Sequence, residues 1–332
     1  MPHTTTSLSI PRKITIKNQL KALEETKLKS ELRAGLLAQE KYISSKFFYD
    51  RAGSALFEMI TELPEYYPTR TEKSILQNGA QPIFAKMRNL ELIELGSGDS
   101  SKISMVLKAI PSIFLNSLTY RPIDFSASAI QKSARNLIKR FPAITIEGLV
   151  ADFTSILQLE PTGQPRAFCF FGSTLGNFTP QQATRLLSNI SSIMHPGDQL
   201  FLGIDMEKPT TILEAAYNDS QHITEAFNKN ILRVTNRLLK TNFIPTHFEH
   251  LAFYNEAEHR IEMHLKARTK LSIESPYLDK NIVLHKEETI HTENSYKFSE
   301  EGIKRMTADS NLKIKEIFYD NRKWFGLVQL MK

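Results

Sequence analysis

Several residues in this chain combine reactive side chains with useful spacing. Gly96-Ser97-Gly98 follows the short apolar run Leu92-Ile93-Glu94-Leu95, so glycines there let backbone amides approach a ligand closely. Asp124 closes a second apolar run, Leu118 to Ile123, where a carboxylate can accept from two ribose hydroxyls. Asp152-Phe153 closes a third, Ile144 to Val150; the acid can accept from an adenine amino group and the ring can pack on the base. Much later, Glu293 and Ser295 stand two apart and share one face of a strand, a pattern that a solvated sheet face also produces.

A Gly-x-Gly pair alone is an ordinary turn, and Asp at such junctions often caps a helix. Set after a first strand, with acids closing the next two, the pair marks a nucleotide site. The third glycine of a dinucleotide fingerprint is replaced by Ser101, which favours S-adenosylmethionine, a ligand with no pyrophosphate, over a nicotinamide dinucleotide. A nicotinamide-dependent oxidoreductase is the competing enzyme class.

The elements that must hold these residues follow from periodicity. Lys13 to Gln39 is expected to be one helix, with Leu20, Leu23, Leu28, Leu32 and Leu36 at helical spacing. A second helix runs from near Ser54 to Pro64, followed by a conformationally restricted loop, Leu63 to Arg70, with two tyrosines between two prolines. Strands at Leu92–Leu95, Leu118–Ile123, Ile144–Val150, Ala167–Phe171 and Asp198–Ile204 alternate with helices from Ser100, Ser128 and Pro180. That rhythm predicts an α/β fold with a parallel sheet covered on both faces. Residues 208–246 read as helices, 248–269 and 285–297 as strands, and a helix near 298–308 precedes two closing strands. An interruption of about 90 residues exceeds loop length and must fold as a subdomain. The expected division is residues 71–207 and 298–332 for the sheet domain, with 1–70 and 208–297 forming a second, α+β domain over its carboxyl edge.

Composition narrows the class. The 332 residues are 41 % hydrophobic and 23 % charged, which is ordinary for a globular protein and argues against disorder. No apolar run approaches the ~20 residues of a membrane span, and the Thr-rich start lacks the order of a signal peptide. The single Cys169 allows no internal disulfide or cysteine-zinc cluster, so a reducing cytoplasm is the expected compartment. Net charge is +6, and residues 1–33 supply seven basic against three acidic groups. A charge confined to an arm is a solvated segment rather than a nucleic-acid surface. His247 and His250 lack a convincing third ligand, so no metal is expected. A monomer without nucleic-acid or membrane partners is expected.

Six segments carry a closer likeness. They are Phe48-Tyr49-Asp50-Arg51-Ala52-Gly53-Ser54-Ala55-Leu56-Phe57, Leu63-Pro64-Glu65-Tyr66-Tyr67-Pro68-Thr69-Arg70-Thr71-Glu72, Glu94-Leu95-Gly96-Ser97-Gly98, Gly172-Ser173-Thr174-Leu175-Gly176-Asn177, Arg260-Ile261-Glu262-Met263, and His291-Thr292-Glu293-Asn294-Ser295-Tyr296-Lys297-Phe298. In this order, the chain resembles the histidine-specific N-alpha-methyltransferases of ergothioneine biosynthesis from about residue 40 onward. The resemblance implies a Rossmann-like class I methyltransferase sheet with a separate substrate-binding domain. It implies three methyl transfers from S-adenosylmethionine to the α-amino group of L-histidine, giving hercynine. Gly96, Ser97, Gly98, Lys102, Asp124, Asp152 and Phe153 then fall at cofactor positions. Tyr66, Gly172, Asn177, Tyr217, Met263, Glu293 and Ser295 fall at substrate positions, and Tyr49 falls close to the amine.

On that reading the chemistry assigns roles. Asn177 and Tyr217 can each donate one hydrogen bond to the substrate carboxylate. Glu293 can accept an imidazole N–H, while Ser295 can donate or accept at the other ring nitrogen. Tyr49 can orient the amine lone pair or relay a proton. Some relatives methylate tryptophan derivatives, but an indole has one N–H and no acceptor, giving less reason for the Glu and Ser pair.

Overall fold

The computed structural model describes residues 13–19, 24–155, 157–159 and 163–332. The expected loose tail at residues 1–10 lies outside them, as do Leu20 and Leu23 of the expected first helix.

One sheet of eight strands organises the molecule. Its members are β1 (Ile14–Asn18), β2 (Glu91–Leu95), β3 (Thr119–Asp124), β4 (Thr145–Val150), β5 (Arg166–Phe170) and β6 (Gln199–Asp205), with two later strands. A second layer contains β7 (Phe248–Asn255), β8 (Arg260–Ala267), the short β9 (Leu271–Ile273) and β10 (Ile282–Leu284), and β11 (Thr289–Tyr296). The chain closes with β12 (Lys313–Tyr319) and β13 (Phe325–Met331). The large sheet runs β1-β4-β3-β2-β5-β6-β13-β12. All its pairs are parallel except those made by β13. The five residues of β2 and the five of β5 are buried throughout, as strands covered on both faces require. The order reverses direction at β2, which lies between β3 and β5; such a switch point opens a crevice at the carboxyl ends. The expected α/β class I methyltransferase sheet is the observed one.

Two sequence expectations need correction. Residues 13–39 are not one helix: Ile14–Asn18 pairs parallel with β4 at the sheet edge, and the helix is Glu24–Leu37. The alternating Ile14 and Ile16 suit a strand, and tertiary pairing outweighs the helical spacing of the leucines that follow. The Tyr-Pro segment is also not a loop throughout. Tyr67 opens a helix, Tyr67–Ser74, with Pro68 in its first turn, where a missing N–H costs nothing.

A hydrophobic core is shared by Leu32, Leu36, Phe48, Ile60 and Tyr67 from the first part of the chain and Leu213, Phe227, Ile231, Phe248, Met263 and Ile290 from the interruption. A three-stranded antiparallel sheet, β11-β8-β7, backs this core. Helix Ile223–Leu239 packs on helix Arg51–Thr61 and on β7 and β8. Separate apolar clusters fill the two faces of the large sheet.

Candidate active site

The carboxyl edge of the large sheet displays five strand ends in spatial order. Asp152 follows β4, Asp124 ends β3, Gly96 follows β2, Gly172 follows β5 and Asp205 ends β6. Four strand spacings of about 4.8 Å separate the first from the last, roughly 19 Å. An elongated ligand laid across this edge meets them in turn.

The glycine loop is built to expose backbone. Gly96 and Gly98 have φ of +70° and +45°, which side chains rarely adopt. The Phe153 ring comes within 3.8 Å of where a Gly96 Cβ would stand, so glycine leaves a slot between loop and ring. Ser97 is buried, and its hydroxyl has no partner among the described residues. Burial raises the Asp124 carboxyl above the ordinary carboxylate range, opposed by the backbone N–H groups of Ser126, Gly98, Phe125 and Ser97. Asp152 is partly spent on its own turn: Oδ1 accepts from the Thr154 N–H at 3.0 Å and hydroxyl at 2.6 Å. The capping alternative therefore describes one oxygen of Asp152.

Lys102 sits in the first turn of helix Ser101–Ala109 and pairs with the fully buried Glu72 at 2.6 Å. Glu72 also accepts the Gly172 N–H on both oxygens at 2.9 Å, so that amide is not available to a substrate. Gly203 on β6 makes room for this carboxylate, since a Cβ there would lie 2.1 Å from Glu72 Oε1. A buried anion thus ties the Tyr-Pro helix, the cation after the glycine loop and the turn after β5 into one rigid seam.

Beyond that seam lies an aromatic cleft. Tyr49 packs edge-on against Phe57 and Phe227, with centroids 5.7 and 5.8 Å apart, and Tyr66 packs against Phe57 and Tyr217 at 6.1 and 6.4 Å. Tyr49 is 40 % exposed. Protein still surrounds it, and the resulting desolvation, with Glu293 nearby, pushes its phenol well above the usual range. Its backbone position comes from the next residues. Asp50 caps helix Arg51–Thr61 by accepting from Gly53 N–H at 2.9 Å, and also accepts from Asn230 at 2.9 Å and Arg237 at 3.1 Å. A Cβ on Gly53 would stand 1.7 Å from the Phe48 carbonyl oxygen, so only glycine permits this turn.

Glu293 and Ser295 reach the same cleft through a β-bulge. His291 pairs with His264, but Glu293 pairs with Met263, leaving Thr292 as the extra residue. Without it, Glu293 would oppose Glu262 on the outer face; with it, Glu293 and Ser295 join Met263 and Ile261 on the inner one. Thr292 is held by donating to Asn228 Oδ1 at 2.7 Å and to the Met263 carbonyl at 3.0 Å. Burial pushes the Glu293 carboxyl up to about 8, moderated by Lys297. No side chain or backbone group hydrogen-bonds this carboxyl among the described residues. Ser295 Oγ accepts from Tyr217 at 2.7 Å and from Lys297 at 2.8 Å. Asn177 ends the short helical turn Thr174–Asn177, whose Gly176 packs against the Tyr296 backbone of β11. Tyr66, Tyr217, Glu293, Ser295, Met263 and Tyr49 are thus gathered from five separated segments, and Asn177 lies on the turn packed against β11.

Comparison with known proteins shows the family. Residues 28–332 match the family described as histidine-specific methyltransferase, SAM-dependent. The chain belongs to that family. It is 39 % identical over 300 residues to the histidine N-alpha-methyltransferase of Mycolicibacterium smegmatis, covering 90 % of this chain and 93 % of the relative. It is 36 % identical to the protein of the same name from Mycobacterium tuberculosis, with the same coverage. At 26 % identity over 312 residues it also matches the 4-dimethylallyltryptophan N-methyltransferase of Claviceps purpurea, covering 87 % of this chain and 90 % of that one.

Four residues of this methyltransferase escaped the sequence reading. Asp205, Lys297, Lys208 and Tyr67 form a buried polar cluster under the cleft. Asp205 accepts from Tyr67 at 2.7 and 2.9 Å, from Lys297 at 2.8 Å and from Lys208 at 2.6 Å. Burial raises the Asp205 carboxyl, but Lys297 and Lys208 outweigh it and hold it below the usual range. Lys297 and Tyr67 lie inside segments that carried the resemblance, and a lysine flanked by Tyr296 and Phe298 was the available signal.

Other candidates resolve into structure. His250 hydrogen-bonds Asn228 and the Tyr217 carbonyl, both at 2.9 Å, and burial lowers its ring pKa, so it is a neutral support for Tyr217. Cys169 is buried mid-strand, and desolvation pushes its thiol well up. Glu262, His264 and His291 bring possible ligand atoms within 4.8 Å on the outer face of β8 and β11. Glu262 there is already paired with Arg260 at 2.7 Å and His264 at 2.9 Å. A cavity of about 590 Å³ lined by Lys86, Arg88, Arg166 and Lys315 lies at the opposite end of the sheet and contains none of the site residues. Among the described residues, no helix is long and apolar enough to cross a membrane.

Proposed function

We propose that this protein transfers three methyl groups from S-adenosylmethionine to the α-amino nitrogen of L-histidine, giving hercynine on the way to ergothioneine. The observation that carries the choice of amino acid is the Glu293 carboxyl, buried on the same strand face as Ser295 and without a hydrogen-bond partner among the described residues. A buried carboxyl left unpaired is costly, and an imidazole N–H satisfies it. An indole satisfies Glu293 and leaves Ser295 with a carbon, while a phenyl ring satisfies neither.

The residues at the sheet edge fit the methyl donor. Asp124 stands where a ribose diol can donate to it. Asp152 keeps one oxygen free of Thr154 for the adenine amino group, and Phe153 and Gly96 frame the slot for the base. The Ser97 hydroxyl, without a partner among the described residues, supplies a donor, while the Ser97 and Gly98 amides face Asp124. Lys102, fixed by Glu72, offers a cation to a carboxylate. When bound, S-adenosylmethionine supplies a methyl group on a sulfonium, an electrophile that calls for alignment rather than a covalent enzyme intermediate.

The chain's own residues then have three tasks. Asn177 holds the substrate carboxylate, and Glu293 and Ser295 hold the ring; the hydroxyl hydrogen expected of Tyr217 at the carboxylate is donated to Ser295 instead. Tyr49 orients the amine lone pair. Its phenol, kept protonated by desolvation, acts as a hydrogen-bonding group and not as a phenolate base. Conversion of the ammonium to a trimethylammonium releases three protons, one before each transfer, and the last product has no N–H to hold. We assign residues 71–207 and 298–332 to the methyl-donor domain. Most of 1–70, with 208–297, forms the substrate domain, β1 excepted because it pairs in the large sheet.

The test is incubation with labelled S-adenosylmethionine and each amino acid, followed by mass spectrometry. Trimethylated histidine as the dominant product is expected. Preferential labelling of tryptophan or its derivatives would replace histidine with the indole reading.

A further inference from the structure

Lys297 is fully buried, and each of its ammonium protons faces an oxygen. Asp205 Oδ2 and Ser295 Oγ lie at 2.8 Å and the Tyr217 hydroxyl at 3.4 Å. Tyr217 in turn donates to Ser295 Oγ at 2.7 Å. A phenol is the stronger hydrogen-bond acid of the two hydroxyls, so the proton between them comes from tyrosine. Ser295 Oγ therefore accepts twice. A hydroxyl oxygen has two lone pairs, and both are used. What remains is its own hydrogen, for which no acceptor exists among the described residues. Ser295 is 5 % exposed, and the cleft is the remaining direction for that hydrogen.

We infer that Lys297 is a specificity-determining positioning residue: by filling the Ser295 lone pairs it makes Ser295 a donor only, so the bound ring must present a bare nitrogen. This rests on the reading that Glu293 and Ser295 hold the imidazole. It sharpens that reading, because sequence alone left Ser295 free to donate or accept. With Glu293 accepting at one nitrogen and Ser295 donating at the other, a single neutral tautomer fits. An imidazolium carries N–H at both positions, so one would meet a hydroxyl hydrogen with an ammonium behind it. Rings with an N–H and no second nitrogen leave the Ser295 hydrogen unpaired. Asp205, Lys208 and Tyr67 act one step further back, holding Lys297 in place.

Two measurements test this. In the parent enzyme with S-adenosylhomocysteine, nitrogen NMR of ring-labelled histidine should show one bare and one protonated ring nitrogen, even at a pH where free histidine is an imidazolium. A bound imidazolium, or a mixture of tautomers, would overturn the proposal without touching the substrate assignment. Failure of histidine to bind at all by calorimetry would instead remove the substrate reading and this proposal with it. The second measurement uses the two pyrrolylalanines, which keep a ring N–H and replace the other nitrogen by C–H. A site built to pair a substrate group rejects analogues lacking it by ~10⁴-fold, so the parent should strongly prefer histidine. Lys297→Met frees a Ser295 lone pair and should shrink that preference in kcat/KM by about tenfold or more, mainly through KM, with cofactor affinity unchanged. Lys297→Gln, which keeps N–H donors, should retain most of it. An unchanged preference in folded Lys297→Met overturns the assignment. Should that variant fail to fold, the tautomer seen in the parent decides.

Discussion

Glu94 and Glu293 are two buried glutamates that burial pushes to about 8, and they serve different ends. Glu94 lies on β2 beneath the glycine loop, where the Tyr120 hydroxyl donates to it and Lys102 lies close enough to lower it. Its needs are met inside the protein. Glu293 lies on β11 with Lys297 nearby, and no hydrogen bond reaches its carboxyl among the described residues. The same shift therefore accompanies a structural acid in one place and, on the proposed function, a recognition acid in the other. The distinction comes from asking which partners the fold supplies, and the shift alone does not provide it.

The largest expected effect breaks the comparison on the Glu293 side. Histidine should exceed phenylalanine in kcat/KM by ~10⁴-fold, because a phenyl ring leaves Glu293 and Ser295 unpaired. Glu293→Ala should collapse that ratio, and adding Met263→Val should enlarge the same wall in favour of tryptophan. Equal ratios in parent and variants would place the ring elsewhere. Next in size, Asp124→Ala should weaken S-adenosylmethionine binding by roughly 10- to 150-fold, the loss of a charged hydrogen bond of ~1.5–3 kcal/mol, read by calorimetry. Asn177→Ala should raise KM for histidine with cofactor affinity kept. Histamine, which lacks the carboxylate, should be a poor substrate for the parent; efficient methylation of histamine would cancel the carboxylate role.

Stability separates the two acids directly. Glu94→Ala strands the buried Tyr120 hydroxyl and should cost about 1–3 kcal/mol before any cavity contribution. Glu293→Ala strands no hydrogen-bond donor of the fold and should cost less than about 1 kcal/mol, while ruining selectivity. Denaturant melts of both variants measure this; equal losses would erase the distinction. The pH dependence of stability gives a last, gradual test of the same comparison. Both carboxyls titrate near 4.5 when unfolded and at about 8 when folded, so between these values the folded state keeps protons that the unfolded state has lost. Stability then falls as pH rises through that window and levels off above it, by at most about 1.4 kcal/mol per unit for each group. Glu293→Gln should flatten the decline in the ligand-free protein. A slope identical to the parent's would mean that Glu293 is ionised throughout.

The strand ends proposed to hold the methyl donor were legible in the chain because their signals are local. A strand ends, a glycine or an acid follows, and β2, β3 and β4 repeat that order at Gly96, Asp124 and Asp152. The Phe48 to Phe57 segment is legible for a similar reason: Asp50, Gly53 and the Phe48 carbonyl meet within one turn. The resemblance carried the rest of the candidate site, and bare spacing would have left Glu293 and Ser295 on a solvated strand.

What sequence by itself determined was the alternation of strands and helices, the switch in rhythm near residue 208, and the pairing of Glu293 with Ser295 on one strand face. The tertiary structure decided which face that is. A single extra residue, Thr292, pinned by Asn228 from a helix more than sixty positions earlier, turns the pair inward. It also decided that Ile14–Asn18 is a strand, because β4 offers a free edge. Only the folded chain shows that Lys297, Asp205, Ser295 and Tyr217 share protons, since strand ends from the large sheet and side chains from the second layer meet there. Period and composition report on neighbours along the chain. Hydrogen-bond direction in a buried cluster depends on counting donors against acceptors, and that count exists only once distant segments have packed.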